Sequence, residues 1–234
     1  MIFHVLGEGP SDFGSWDVHT LKKGCMNYLL DWLWMHHAPQ GTPLPEQKLH
    51  SRDAISKTDP RAIGSRGHHL PRQTRFAFMG ALALAHLAQA ENETAGAVYF
   101  IDADHTRSED KDIGEKFRDA IQQGFDFASF QLGVPMVPNP CQEAWLLAYY
   151  QRYMPKQAAY NHAERFEDLA GNKRAQRQNN PKGQLADCLE KAGLDMRNDK
   201  EEIVNRVDWD RVSMPSYDCF CRTFLQVMAK MMGT

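Results

Sequence analysis

The fold of this chain is decided by one stretch, Ala97-Val98-Tyr99-Phe100-Ile101-Asp102-Ala103-Asp104. Its first five residues are a continuous apolar run with β-branched and aromatic members, which is typical of a strand buried on both faces of a parallel sheet. The run stops at two acidic residues. Because parallel α/β sheets bind ligands at the carboxyl ends of their strands, this stretch predicts both a central strand and a functional site.

Working outward, apolar runs alternate with helical periodicity over the first 150 residues. We predict strands at Ile2–Leu6, Gln47–His50, Ala97–Ile101 and Val134–Val137, and helices at Trp16–His36, Arg72–Gln89, Glu115–Gln131 and Gln142–Tyr150. This β-α-β-α-β-α-β-α order predicts an α/β fold with a mostly parallel sheet of about four strands, flanked by helices.

The pattern changes after residue 153. Polar loops follow, with a predicted helix near Gly183–Gly193 and a C-terminal helix near Tyr217–Met232. We therefore predict an α/β catalytic domain at residues 1–153 and a helical C-terminal extension at residues 154–234 that packs on it.

The composition is that of an ordinary globular protein, with 42% hydrophobic and 24% charged residues and a net charge of −3. The N-terminus has a buried-strand pattern in place of a leader peptide, and no run of 18 apolar residues predicts a membrane span. Five cysteines without a C-x-x-C pair predict reduced thiols and no structural zinc site. Together these features predict a cytoplasmic protein.

Acidic residues follow two of the predicted strands. Glu8 comes after the first strand, with Asp12 beyond it, and Asp102 and Asp104 come after the third, with His105 next to them. At a strand end, residues i and i+2 point the same way, so the D-x-D carboxylates can face one point. Carboxylates gathered there repel one another unless a cation neutralises them, and hard oxygen ligands suit Mg²⁺ or Mn²⁺.

Two polar stretches, residues 50–75 and 173–182, are rich in basic residues. Both are candidate contacts for nucleic-acid phosphates. Solvated loop charge is the alternative explanation for both. The first stretch also contains His50. The candidate nucleic-acid-binding residues are Arg52, Lys57, Arg61, Arg66, Arg72, Lys173 and Arg174.

The two acidic motifs resemble those of a TOPRIM domain, the Rossmann-like fold shared by primases, topoisomerases and OLD-family nucleases. A glutamate after the first strand, often within E-G-x-x-D, corresponds to Glu8-Gly9-Pro10-Ser11-Asp12, and the later D-x-D corresponds to Asp102-Ala103-Asp104. A further segment, residues 138–145, is similar to one in small standalone TOPRIM-like bacterial proteins of unknown function. The resemblance covers about residues 1–150.

The resemblance implies a role for each matched residue. Glu8 would be the general acid/base and also a metal ligand, Asp102 and Asp104 would be metal ligands, and Asp12 would orient the metal from outside its ligand shell. Glu143 is a further candidate ligand, although a carboxylate in the first turn of a helix also interacts favourably with the helix dipole. His105 stands where primase-like members often have glycine.

The leading functional hypothesis is a Mg²⁺- or Mn²⁺-dependent nuclease that hydrolyses phosphodiesters in DNA or RNA. Relatives of this kind act beside an ATPase partner in bacterial anti-phage defence, so the resemblance also implies a partner protein. One alternative is a non-catalytic nucleic-acid-binding or regulatory subunit of an ATPase complex. Another is a nucleotide-binding protein in which Gly7-Glu8-Gly9 cradles a phosphate, although G-x-G-x-x-G and a Walker lysine are both missing.

Overall fold

The computed structural model describes residues 1–7, 13–17, 20–51, 55, 71–91, 93–103, 112–153, 167 and 181–233. The strands in these ranges are β1 Ile2–Leu6, β2 Ser15–Asp17, β3 Thr20–Lys22, β4 Glu46–His50, β5 Ala95–Phe100 and β6 Gly133–Met136. The helices are α1 Cys25–His37, α2 Arg72–Gln89, α3 Ile113–Phe127, α4 Gln142–Tyr153, α5 Pro181–Ala192, α6 Lys200–Asn205 and α7 Pro215–Met232, with a short 3-10 helix at Trp209–Arg211.

The main sheet has four parallel strands in the order β4-β1-β5-β6. Strands β1, β5 and β6 are buried along their whole length, as their apolar runs predict. The register sets Leu6 of β1 opposite both His50 of β4 and Tyr99 of β5. The predicted α/β fold with a parallel sheet of four strands is confirmed.

Successive side chains of a strand point to opposite faces of the sheet, so strands that are apolar at successive positions make both faces apolar. Helices cover both of these faces. Phe3 and Val5 of β1 pack in a core with residues of α1, α4 and α7. Ile2 and Leu6 pack in a second core with residues of α2 and α3. The result is a three-layer, Rossmann-like arrangement.

The strand order reverses between β1 and β5. The connection that contains α1 leads from β1 to β4 on one side, and the connection that contains α2 leads from β4 back to β5 on the other side. Because these two helices cover opposite faces, the switch point of the sheet lies between the carboxyl ends of β1 and β5. Ligands of open α/β sheets bind at this kind of switch point.

The predicted helix at Trp16–His36 is wrong over its first part. Strands β2 and β3 form a two-stranded antiparallel sheet, and α1 begins only at Cys25. Gly14 has a φ of 72°, and a Cβ there would lie 1.8 Å from the carbonyl oxygen of Lys22, so this chain reversal requires glycine. The Gly24 backbone N–H donates to the side chain of Asn27 at 2.8 Å, which marks the helix start.

A buried polar network fixes edge strand β4 to α1. The Asn27 side-chain amide donates to Gln47 Oε1 at 2.6 Å, and the Gln47 amide donates to Asp31 Oδ1 at 2.8 Å. Lys23 forms an ion pair with Asp31. These bonds satisfy buried polar groups and position the strand that ends at His50.

The C-terminal helices share the core of the sheet. Phe224 of α7 stacks on Phe3 of β1, with ring centroids 5.6 Å apart. Gly96 of β5 leaves room for Phe3 and for Met231 of α7, since a Cβ at position 96 would meet the Phe3 ring at 2.5 Å and the Met231 sulfur at 2.9 Å. The helices predicted near 183–193 and 217–232 are present as α5 and α7, whereas α6 and the 3-10 helix were not predicted.

Two expectations from composition concern membranes and thiols. Among the described helices, none has the length and apolar character needed to cross a membrane. All five cysteines fall in described ranges and none forms a disulfide. Cys219 and Cys221 lie on α7, where side chains at i and i+2 diverge, so the helix does not bring them together as a ligand pair.

Candidate active site

Asp102 lies at the carboxyl end of β5 and is only 4% exposed. Its Oδ1 accepts a hydrogen bond from the backbone N–H of Gln142 at 3.0 Å. Gln142 is the first residue of α4, where backbone N–H groups lack partners within the helix and the dipole favours a negative charge. The carboxylate therefore also has a structural role, because it binds the N-terminus of α4.

Glu143 follows Gln142 in the first turn of α4 and is half-buried. The hydrogen bond between Asp102 and Gln142 places this glutamate in the same corner of the molecule as the carboxyl end of β5. The structure therefore brings the Asp102 carboxylate to the helix turn that contains Glu143, another candidate ligand. The helix dipole is an alternative explanation for both residues, because each is a carboxylate at the N-terminus of α4, where a negative charge is stabilising.

The segment between β6 and α4 holds this corner in place. The Ala103 backbone N–H donates to the Pro138 carbonyl at 3.0 Å. Trp145 is fully buried, stacks on Phe220 of α7 with centroids 5.6 Å apart, and donates from Nε1 to Ser216 Oγ at 2.8 Å. Residues 138–145, which the resemblance singled out, thus link the D-x-D strand end to the last helix.

A small cleft of about 70 Å³ adjoins this corner. Its walls include Gly114 and Arg118 of α3, Asn139, and Ser216 at the start of α7. Glu167 closes one side, where its carboxylate accepts from Ser216 Oγ at 2.7 Å and from the Ser216 backbone N–H at 3.0 Å. The cleft was not predicted, and the only sequence signal for it is the helix start at Pro215-Ser216.

Most other predicted site residues lie outside the described ranges. These are Glu8, Asp12, Asp104, His105, Arg52, Lys57, Arg61, Arg66, Lys173 and Arg174. Arg72 is the first residue of α2. Within the described ranges no group of three or more His, Cys, Asp or Glu side chains is placed to hold a metal ion. The metal site therefore stays a prediction.

A second polar cluster joins β1, β4 and the residues after α2. His4 is 3% exposed, and its two ring nitrogens contact His50 Nε2 at 2.9 Å and Glu91 Oε1 at 3.0 Å. Lys48 donates to the same Glu91 oxygen at 2.7 Å. Burial lowers the pKa of His4, and burial together with the neighbouring His4 lowers the pKa of His50 to about 4.

The sequence analysis counted His50 with the first of the two basic stretches, whereas the structure places it in the sheet. It is the last residue of β4, and with its lowered pKa it adds no positive charge at neutral pH. His4 was not singled out. The one sequence signal for it is a histidine inside the otherwise apolar strand Ile2–Leu6.

Comparison with known proteins identifies no relative of this chain. No protein-family model matches the chain, and no curated protein or solved structure matches it. The resemblance to TOPRIM domains therefore rests on the two acidic motifs and on residues 138–145.

Proposed function

We propose that this protein is a Mg²⁺- or Mn²⁺-dependent nuclease that hydrolyses phosphodiester bonds in DNA or RNA at the carboxyl ends of β1 and β5. The observation that carries the proposal is the adjacency of these two parallel strands at the reversal of strand order. Glu8 follows β1 by two residues, and Asp102 and Asp104 follow β5. Both acidic motifs therefore leave neighbouring strands at the same sheet edge, where α/β proteins bind ligands.

The donor set suits a hard divalent cation. Carboxylate oxygens are the ligands that Mg²⁺ prefers, and the residues proposed to hold it are Glu8, Asp102 and Asp104, with Glu143 as a further candidate. A bound cation would polarise a phosphoryl oxygen and stabilise the charge that develops during hydrolysis. The buried position of Asp102 supports this assignment, because a carboxylate shielded from water gains most from a neutralising partner.

The basic residues of the two polar stretches are proposed to contact the phosphate backbone. Contacts of this kind bind nucleic acid without reading its sequence and weaken as salt rises. A role in bacterial anti-phage defence, with an ATPase partner, belongs to the same proposal and rests on the resemblance alone.

A non-catalytic nucleic-acid-binding or regulatory subunit of an ATPase complex is the second candidate. The hydrogen bond between Asp102 and Gln142 favours it, because a carboxylate that stabilises the N-terminus of α4 has a reason to be present without any metal. This candidate predicts nucleic-acid or partner binding with no turnover.

The test is cleavage of a mixture of plasmid, single-stranded DNA and total RNA with Mg²⁺ or Mn²⁺. Wild type is compared with Glu8→Gln and Asp102→Asn, and with Asp187→Asn as the matched control, since Asp187 is exposed on α5. We expect cleavage by wild type and by the control, and loss in both site variants and in chelator.

A thermal-shift titration with Mn²⁺ separates the two candidates without requiring activity. A cation that binds only the folded state raises the melting temperature. We expect an upward shift in wild type that Asp102→Asn removes. No shift and no cleavage of any polymer, with the protein folded and a nucleic acid bound, would establish the regulatory-subunit candidate instead.

A further inference from the structure

His4 and His50 are joined by a hydrogen bond that links β1 to the end of β4. His4 Nδ1 and His50 Nε2 lie 2.9 Å apart. The two imidazole planes differ by 7° and their centroids lie 5.0 Å apart. Parallel rings whose nitrogens approach to 2.9 Å are too close to be stacked, so the contact is a hydrogen bond near the plane of both rings.

This hydrogen bond survives protonation of one ring but not of both. It needs one nitrogen that carries a hydrogen and one that offers a lone pair. Two neutral rings meet that requirement, and so does one neutral ring beside one imidazolium ion. When both rings are protonated, His4 Nδ1 and His50 Nε2 each carry a hydrogen, and two like charges face each other across the contact.

The charged groups beside the pair do not neutralise two imidazolium ions, because the carboxylate of Glu91 already pairs with an ammonium group. Glu91 Oε1 contacts His4 Nε2 at 3.0 Å and accepts from Lys48 Nζ at 2.7 Å. The hydrogen bond between Glu91 and Lys48 lowers the pKa of Glu91 and raises the pKa of Lys48, so both stay charged between about pH 5 and 7. Glu46 of β4 also acts electrostatically on His4. The histidines are therefore the groups through which mild acid acts on this cluster.

The end of β4 is the part of the sheet that this hydrogen bond holds. β4 is an edge strand of the described sheet, with β1 as its neighbour. Gln47 fastens the first half of the strand to α1 through its hydrogen bond to Asp31 Oδ1, whereas residues 48–50 are all partly exposed. A partly exposed edge segment opens at a lower free energy than the core strands. Loss of the bond between His4 and His50 therefore acts first on residues 48–50.

We propose that the hydrogen bond between His4 and His50 is an acid-sensitive latch, which holds residues 48–50 of β4 against β1 at neutral pH and releases them when both rings are protonated. Glu91 is a positioning residue, because it holds the His4 ring through its other nitrogen. The release is a reversible conformational change without covalent chemistry. It takes its protons from solvent, and it does not depend on the nuclease proposal.

Acid drives the release because separated imidazoles bind protons that the joined pair does not. Burial lowers the pKa of both histidines in the closed state, that of His50 to about 4, whereas a released ring returns toward its ordinary pKa of 6.5. The closed state is therefore favoured above pH 6.5, and release gains as the pH falls from 6.5 toward 4. Each proton taken up raises the opening constant by up to about 25-fold between about pH 7 and pH 5.

The experiment is amide hydrogen exchange of the full chain, followed residue by residue by NMR at about pH 7, 6 and 5. Protection factors, which correct for the pH dependence of intrinsic exchange, report the opening of each hydrogen-bonded amide. We expect the protection of residues 48–50 to fall about 20-fold or more from pH 7 to pH 5. It should stay below the protection of β5 at each pH, because the release is local.

His50→Gln tests the latch, because glutamine keeps an N–H donor for His4 but has no group that titrates. We expect its loss of protection at residues 48–50 to be about 10-fold smaller than that of wild type. His86→Gln is the control, since His86 is an exposed histidine on α2, and it should behave as wild type. An unchanged pH dependence in His50→Gln, or equal protection of residues 48–50 and β5 at every pH, would overturn the latch.

A titration of wild type tests the same proposal without a variant. The NMR signals of the ring protons of His4 and His50 report the protonation of each imidazole in the same samples. Both rings are expected to titrate below 6.5, and the protection of residues 48–50 should be lost as they do. Protonation of both rings while residues 48–50 stay protected would overturn the proposal.

Discussion

The Asp102 carboxylate at the end of β5 accepts a hydrogen bond from the Gln142 backbone N–H, forty residues further along the chain. This bond joins the central strand to the first turn of α4. It brings Asp102, the first residue of the D-x-D motif, to the helix turn that contains Glu143. The same carboxylate is thus both the leading candidate for a metal ligand and a helix cap, and the two roles respond differently to substitution.

Asp102→Ala is expected to lower the free energy of unfolding by about 1–3 kcal/mol, because the buried Gln142 N–H loses its acceptor. Asp102→Asn retains an oxygen acceptor and is expected to lose clearly less. Urea unfolding of both variants, with Asp187→Asn as the exposed control, measures the difference. Equal losses in the alanine and asparagine variants would show that the hydrogen bond to α4 does not account for the stability.

Ser216→Ala is expected to destabilise the protein by about 1–3 kcal/mol, because the buried Trp145 indole loses its acceptor and Glu167 loses a donor. The matched control is Ser213→Ala, since Ser213 is exposed two residues before the start of α7. That substitution is expected to stay within about 0.5 kcal/mol of wild type. The measurement is urea unfolding, and equal effects of the two substitutions would contradict the role of Ser216.

Gly124→Ala is expected to destabilise the protein by about 1–3 kcal/mol through overpacking between α2 and α3. A Cβ at position 124 would lie 2.4 Å from the Phe78 carbonyl oxygen and 2.8 Å from the Ala81 Cβ. The control is Gly183→Ala, an exposed helical glycine on α5, where alanine should gain up to about 1 kcal/mol from its helix propensity. Unfolding midpoints measure both, and a stabilising Gly124→Ala would contradict the close approach of the two helices.

Acid is expected to weaken the fold through His4 and His50. Burial lowers the pKa of both from 6.5, that of His50 to about 4, so the unfolded chain binds protons that the folded chain does not. Stability is therefore fully present above pH 6.5 and is lost as the pH falls, for His50 over the window from 6.5 toward 4. We expect the free energy of unfolding of wild type to fall more steeply over this window than that of His50→Gln.

The comparison is best made at about pH 7, 6 and 5, where most carboxylates of the unfolded chain are still ionised. Urea titrations at each pH give the two curves. Parallel curves for wild type and His50→Gln would contradict a depressed pKa for His50.

Local patterns in the sequence were sufficient for the strands of the main sheet and for the fold class. The apolar run 97–101 and the strand 2–6 need no partner to be recognised, because burial on both faces requires apolar side chains at every position. Alternation of such runs with helical periodicity implies parallel strands, since a parallel pair needs a crossover connection. The reversal at residues 15–22 was missed, because pairing across a short turn competes with a helical pattern over the same residues.

Tertiary structure determined which strands and side chains are neighbours. The strand order that makes β1 and β5 neighbours follows from packing α1 and α2 on opposite faces of the sheet, and no local pattern encodes that choice. The bond between Asp102 and Gln142 and the contacts of His4 with His50 and Glu91 each join segments that are far apart in the chain. By itself, the sequence determined the four strands of the main sheet, most of the helices and the acidic residues that follow the strand ends. Only the folded chain determined their partners, because hydrogen bonds between distant residues form once the core has brought their backbones together.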